Sequence, residues 1–579
     1  MPALTKEQIE ALCRRSKDLR GDTYVWESHW QELADYLLPR KNTITRQVTK
    51  ESRGEKQTRV IYDGTGQQSL EVLASALHGL LTPPSQRWFA LDVAENGPEG
   101  DETDEDETKR WLEEVSDTMF AEFALSNFET EIHEAYLDLG CFGTSLTFVD
   151  ESDDSDPIGD APSVLQFSTR QIGEYRLAEN AAGRIDTIFR TYKQSARQLV
   201  QRFLGNERDP KKIEAKVGKR IADIYKKSPD DDVECLHVVA PRRDIDRKAK
   251  TKTEMPFMSV YIDETNKHLI DEGGYRSFPA AAARWIKASG DIYGRSCGMT
   301  ALPDVKVVNK MSELMLRGAG KMIDPPIIVP DDGIVGPLKI SPGSVITERA
   351  GAGADGIRSL SINANLPLGL ELEERRRVAI RNAFYTDRLL FGEGPAKTAT
   401  EVVKITEEKM RLLGPVIGRL DVELLQPIIA RAFDILSAKG RIPQPPASVQ
   451  GKRLRVNYVS PLALAQKAAQ LEGSLRALNI FIPLQQQGVP IFDKIDQDKF
   501  VDLVIEQTGT PKEIVRPPEE VQRLRDGRAK AAAQQAQMQS AMGEATVAKD
   551  LAGAAKNVAG SGIDVAGLAG LPGLPATRQ

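Results

Sequence analysis

The four cysteines, Cys13, Cys141, Cys235 and Cys297, stand far apart, with no CxxC and no Cys/His cluster. That excludes a zinc module and a disulfide framework, and points to a reducing compartment. Histidine is as sparse: His29, His78, His133, His237 and His268 sit in unrelated contexts, no HExxH occurs, and His133-Glu134 is a lone dipeptide. No GxSxG elbow is present and the carboxylates cluster only in segments that read as loops, so no catalytic residue, metal or cofactor is expected. A GxxxxGK[ST] loop ending at Lys397-Thr398 would need glycine at 391 and 396, where Phe391 and Ala396 stand, which argues against a nucleotide-driven motor. Long apolar runs are missing too. The best, Leu70 to Leu81, contains Glu71 and His78 and ends at Pro83-Pro84, short of the roughly 18 residues a membrane helix needs. The N-terminal MPALTKEQIEALCRRSKDLR has no apolar h-region, so a soluble protein without a signal peptide is expected. Nor is there a basic excess. The formal net charge of -7 opposes tight coating of nucleic acid, which requires Lys and Arg to displace counterions from phosphates.

What is present is length, charge and helical pattern. A chain of 579 residues exceeds the size at which one core keeps growing, and 28% charged with 6% aromatic residues suits a large, solvated, helix-rich α+β protein of several parts. Thr5 to Leu38 has helical spacing anchored by Ile9, Leu12, Trp26, Trp30, Leu33 and Leu37, and stops at Pro39. A polar loop over Arg40 to Thr58 precedes Asp63-Gly64-Thr65-Gly66, which reads as a turn into a helix from Gln67 to Leu81, because the GxGxxG spacing and a following lysine are absent. A strand over Trp88 to Val93 leads to Glu95 to Thr108, where eight of fourteen residues are acidic; the EF-hand ligand order is missing, so a solvated loop is expected. Helices at Thr108 to Ala124 and Asn127 to Gly140 precede a second acidic loop, Asp150 to Asp160. From Val164 to Ile286 short alternating runs predict hairpin strands, interrupted by helices at Ala196 to Leu204 and Lys211 to Lys227.

The stretch GDIYGRSCGMTALPDVKVVNKMSELMLRGAGKMIDPPIIVPDDG (Gly290 to Gly333) predicts a long rod. Thr300, Pro303 and Asp304 suit its first turn, Val305, Val308, Met315, Ala319 and Met322 form an apolar stripe, and Asp324-Pro325-Pro326 stops it. Lys306, Lys310, Glu313, Arg317 and Lys321 recur on another face as a mostly basic ridge, which by itself reads as a solvated surface. Pro325 to Leu366 is rich in Gly and Pro with short β-like pieces (IIVP, LKIS, SVIT). A second rod starts at Leu366-Pro367, with Glu373 and Arg377 spaced as an i,i+4 pair and Arg375, Arg376 and Arg381 adding charge. After a glycine-containing turn at Asp387 to Thr398, a capping box at Thr398 and Glu401 opens a helix running to Ala438, with bends expected at Pro415 and Pro427. Arg453 to Val459 reads as a strand, Pro461 to Arg525 as helices, and the remainder from Asp526 as an Ala/Gln/Gly-rich tail in which AAAQQAQMQSAM can be helical and the last twenty residues are expected to be disordered.

GRSCGMTALPDVKVVNKM with KMIDPPIIVPDDG resembles the stem of the head-to-tail connector, or portal, proteins of short-tailed bacteriophages. WQELADYLLPRKN (Trp30 to Asn42) and YDGTGQQSLEVLASALHGLLTPPSQRWFAL (Tyr62 to Leu91) resemble the same family in the same order. The resemblance implies a portal fold: wing 1–290, first stem helix 291–325, clip 326–366, second stem helix 367–387, channel (tunnel) loop 388–400, long kinked helix 401–440, wing return strand 441–460, crown 461–525 and tail 526–579. In that fold Arg388, Phe391, Glu393 and Lys397 would face DNA, whereas read alone they belong to an ordinary helix connector. It further implies a homo-oligomeric ring, typically of twelve, at the capsid portal vertex of the virion. Its partners would be double-stranded DNA held weakly and non-specifically, a terminase packaging motor, tail or adaptor proteins, and capsid and scaffolding proteins, with no membrane; assembly would occur in host cytoplasm. Another ring-forming scaffold or a packaging enzyme are the alternatives.

Overall fold

Thr5 opens the first helix with a reciprocal cap: its hydroxyl accepts from the Gln8 amide while the Gln8 side chain accepts from the Thr5 amide. The computed structural model describes residues 4–46, 54–55, 61–93, 102–152, 163–205, 207–242, 252–323, 327–328, 358–359, 366–389, 413–446, 454–458, 500–501 and 518–560. It divides into two units, Met1–Lys467 and Ala468–Gln579.

In the first unit α1 (Lys6–Leu37) ends at the expected proline stop. Its N-terminal half lays Ile9 and Cys13 on a sheet, and its second half buries Trp30, Leu33 and Leu37 in the main core. α2 (Thr65–Leu81) starts where the Asp63 carboxylate accepts from the Thr65 amide, and β1 (Phe89–Val93) follows. α3 (Glu102–Leu125) corrects the expectation of a loop to 108. Acidic residues at a helix N-terminus are favoured by the macrodipole, so charge that opposes independent folding suits a helix start. Residues 94–101, the rest of that run, and 153–160 of the second acidic run lie outside the described residues.

α4 (Phe128–Phe142) ends at Gly143 with φ 79°, where an added Cβ would stand 2.4 Å from the Gly294 carbonyl oxygen; this close crossing joins the helix end to the segment before the first rod. β2 (Thr144–Glu151) lies between β3 (Leu165–Arg170) and β9 (Ala280–Arg284) in a three-stranded antiparallel sheet. The second sheet is a five-stranded meander of β4 (Tyr175–Glu179), β5 (Ile185–Ser195), β6 (Asp232–Pro241), β7 (Phe257–Asp263) and β8 (His268–Tyr275). Alternation along β6 serves two layers: Leu236, Val238 and Ala240 meet α1, while Val233 and Cys235 meet α5 (Ala196–Leu204), α6 (Pro210–Val217) and α7 (Lys219–Lys227). The single helix expected over 211–227 is broken at Gly218, whose φ of 85° leaves the helical region.

The main core gathers α1 to α4, the three-stranded sheet, the first turns of α8 (Cys297–Ile323) and the helix of 413–438. β10 (Ile327–Ile328) pairs with β11 (Arg358–Ser359), matching the expected IIVP piece; LKIS and SVIT lie outside the described residues. β12 (Leu454–Tyr458) pairs with β1 from Val93↔Leu454 to Phe89↔Tyr458, so the expected strand does return to the N-terminal half. In the second unit one helix, Pro518–Gly560, runs through the expected boundary at 525/526. Ala and Gln are strong helix formers, so AAAQQAQMQSAM is helical as its composition allows, and the helix extends on both sides of it. Residues 461–499, 502–517 and 561–579 lie outside the described residues.

Candidate functional site at the paired rods

Ser296 begins the first rod. Its hydroxyl donates to the Cys141 carbonyl at 2.7 Å and accepts from the Met299 amide at 3.0 Å, which ties the helix start to the end of α4. This corrects the expected start near Thr300 and Pro303: both lie inside α8, and Pro303 leaves the Met299 carbonyl without its usual donor. Burial of Cys297, Ala301, Leu302, Val305 and Val308 offsets that cost of about 3 kcal/mol. The predicted stripe is only half used. Val305 and Val308 are buried, Met315 and Ala319 are half-buried, Met322 is exposed, and no residue of α8 beyond Ser312 is buried.

α9 (Leu366–Ala383) runs antiparallel to α8, since Arg376 pairs with Asp304, Glu373 with Ser312, and Gly369 abuts Met315. The predicted Glu373–Arg377 pair forms at 2.6 Å, and Arg377 also grips Asp63 at 2.8 Å, while the Asn309 side chain accepts from the Tyr62 amide at 2.7 Å. Burial works to raise the Asp63 pKa, but hydrogen bonds from Thr65 and Arg377 outweigh it and hold the carboxyl below its ordinary value. The rods are therefore pinned at their base to the turn before α2.

The ridge is neutralised by its own neighbours. Lys306 pairs with Glu32 of α1, Lys310 and Arg317 both pair with Glu313, and Lys321 is exposed near the end of α8. The Lys310 hydrogen bond holds Glu313 below the usual carboxylate range. On the second rod Arg375 pairs with Glu371 and Arg381 with Glu374. Apolar side chains stand between these charges: Leu314, Leu316, Met322 and Ile323 of α8 and Leu368, Leu370 and Leu372 of α9 are all exposed, Leu316 at 62% and Leu370 at 58%.

Two antiparallel rods, anchored at one end and uncovered at the other, make a projecting element whose sequence can be compared with known proteins. Residues 10–515 match the family described as bacteriophage head to tail connecting protein. The chain belongs to that family. This connector is 32% identical over 543 residues to a probable portal protein of Bordetella phage BPP-1, covering 92% of this chain and 93% of that one. It is 30% identical over 552 residues to a portal protein of Salmonella phage epsilon15, covering 94% of both. A chain from the solved virion of a native gene transfer agent particle overlaps it at a TM-score of 0.33 and 11% identity, over 72% of this chain and 88% of that one, too loose a likeness to bear on the fold.

Beyond the rods the connector turns at Tyr385, held at φ 58°, into α10 (Thr386–Leu389), where Arg388 is exposed. Arg388 thus sits on a helical turn rather than opening a loop; Phe391, Glu393 and Lys397 lie outside the described residues. The helix of 413–438 carries Pro415 in its first described turn and a π-helical turn at Asp421–Leu425. Pro427 has no N–H to donate to the Glu423 carbonyl, and the ladder widens just before it: the Gln426 amide donates to the Asp421 carbonyl five residues back. Glu423, in the middle of that turn, is gripped by Arg284 of β9: the Arg284 amide and Nε donate to one oxygen at 3.1 and 3.0 Å, and its guanidinium to the other at 2.7 Å. Arg284 also pairs with Glu179 of β4, which accepts from Lys287 at 2.6 Å. Nothing in the sequence announces this hub, because its members are separated by 105 and 139 residues; Ser296, by contrast, was findable as a capping residue type just ahead of the apolar pattern.

Proposed function

We propose that this connector closes with identical copies, typically twelve, into a ring around a channel for double-stranded DNA. As a member of the connecting-protein family it serves as a portal channel at a capsid vertex and is a component of the virion. The observation that carries the ring reading is the apolar surface left uncovered on the distal halves of α8 and α9. A cyclic ring joins each copy to its neighbours through two different faces, and two adjacent rods supply two such faces. Contact with DNA is weak, in keeping with the net charge of -7 and with rod cations already paired to Glu32 and Glu313. During assembly in host cytoplasm the terminase docks on the clip around β10 and β11; tail or adaptor proteins replace it, while capsid and scaffolding proteins surround the wing. Native mass spectrometry with electron microscopy of the purified full chain tests this: a closed ring with a central hole is expected, and a compact dimer without a channel would sink it.

Within that ring the 388–400 segment lines the channel, with Arg388, Phe391, Glu393 and Lys397 toward DNA. Lys397→Glu is expected to leave ring mass unchanged and to lower the amount of DNA packaged or retained several-fold, measured as DNA per particle; unchanged DNA content would remove Lys397 from the channel wall.

A further inference from the structure

Where the two sheets of the first unit meet, arginines converge. Arg190 of β5, His237 of β6 and Tyr261 of β7 form one cross-strand row. His237 stacks flat on Tyr261 with centroids 4.1 Å apart, and Phe148 of β2 approaches it from the other sheet at 5.9 Å. Each of three guanidinium groups lies against an aromatic ring: Arg190 is 3.8 Å from the centroid of Tyr192, Arg202 of α5 is 5.0 Å from Tyr261, and Arg170, the last residue of β3, is 5.8 Å from Phe148. A stacked guanidinium keeps its planar edge free for hydrogen bonds, the geometry suited to bidentate anion recognition.

The cations here crowd one another. Arg170 feels the charges of Arg190 and Arg202 as well as those of Glu174 and Asp150, and Asp150 is shared with Arg202 and Arg431. Arg190 is answered by Glu174 at 3.0 Å, Arg202 donates to the Tyr261 hydroxyl at 2.9 Å, and Arg431 donates to Ser277 at 3.1 Å. Among the described residues Arg170 has no ion-pair partner, and its Nε is buried without an acceptor. Burial, reinforced by the charge of Arg190, pushes the Arg170 guanidinium below its usual pKa. A cation left this way inside a fold costs stability unless an anion joins it. The approach is open, for Arg170 is only half-buried and Arg202 is exposed.

We propose that Arg170 and Arg202 form an anion site at the edge of this sheet junction that takes a phosphate group. Two forks facing one tetrahedral oxyanion would supply the missing charge and an acceptor beside Arg170. The phosphate comes either free, as inorganic phosphate, or as a phosphodiester of DNA. The test is thermal melting of the full chain in sodium phosphate, in sodium chloride at equal ionic strength, and in chloride with a short DNA duplex, for the wild type, Arg170→Met and Arg202→Met. Methionine keeps an apolar stem against the aromatic ring, and native mass spectrometry reports whether each variant still assembles. Phosphate is expected to raise the wild-type midpoint by about 2 °C and to leave both variants unmoved. Arg197→Met, at an exposed arginine of α5 paired with Asp230, is expected to respond as the wild type does. A response to duplex but not to inorganic phosphate assigns the site to the phosphodiester. Equal wild-type midpoints in all three solutions, or a phosphate response that survives Arg170→Met, overturns the site.

Discussion

Arg284→Met is expected to destabilise the first unit by about 3 to 5 kcal/mol, the usual cost of removing one partner from a buried ion pair. The guanidinium is 4% exposed and holds Glu423 and Glu179, each 18% exposed, so its loss leaves two largely shielded carboxylates, Glu179 with Lys287 at 2.6 Å and Glu423 with only the longer contact to Arg419 at 3.7 Å. Chemical denaturation of the full chain reads this as a lower midpoint with an unchanged slope. Adding Glu423→Gln is expected to restore part of the loss, because the stranded charge rather than the missing contact dominates it. A midpoint unmoved by Arg284→Met would show that the π turn is held without Arg284, by packing and the Arg419–Glu423 pair.

The second large effect is expected from Leu316→Asp combined with Leu370→Asp. Both side chains are exposed in the single copy, so the fold is expected to keep its near-ultraviolet circular dichroism. Each leucine covered by a neighbour contributes about 1.5 to 3 kcal/mol, and losing two at every contact weakens association by more than about 100-fold. Native mass spectrometry at micromolar protein is then expected to find monomers where the wild type gives rings. Rings that persist at the same concentration would place the assembly contacts elsewhere than on the rods.

Local signals carried far in this sequence and distant ones did not. The helix start at Thr5, the proline stop at Pro39, the helix at Ala196–Leu204 and the Glu373–Arg377 pair are set by residues within one or two turns, and each stands where the pattern puts it. The start of α8 was misplaced because Pro303 is the most conspicuous start signal, while the cap is a serine seven residues earlier whose hydroxyl also serves the end of α4. The acidic run reads as a loop by composition alone, which carries no sign of the dipole of the helix it begins. Of the candidate site, the two rods and their ridge were legible. That the ridge is already satisfied was half visible, in the spacing of Lys310 and Arg317 about Glu313, and half hidden, in Glu32 of a helix 274 residues away. Arg284 with Glu423, and Arg170 with Arg202, join strands and helices through tertiary contact alone, which periodicity does not encode.

The uncovered rods make the melting temperature of this protein a property of the solution as much as of the chain. The proposed ring would bind only folded copies, so every increment in concentration is expected to draw the folding equilibrium toward the assembled state. A dilute sample is then expected to report the stability of a lone subunit with its leucines in water, and a concentrated one that of the proposed ring.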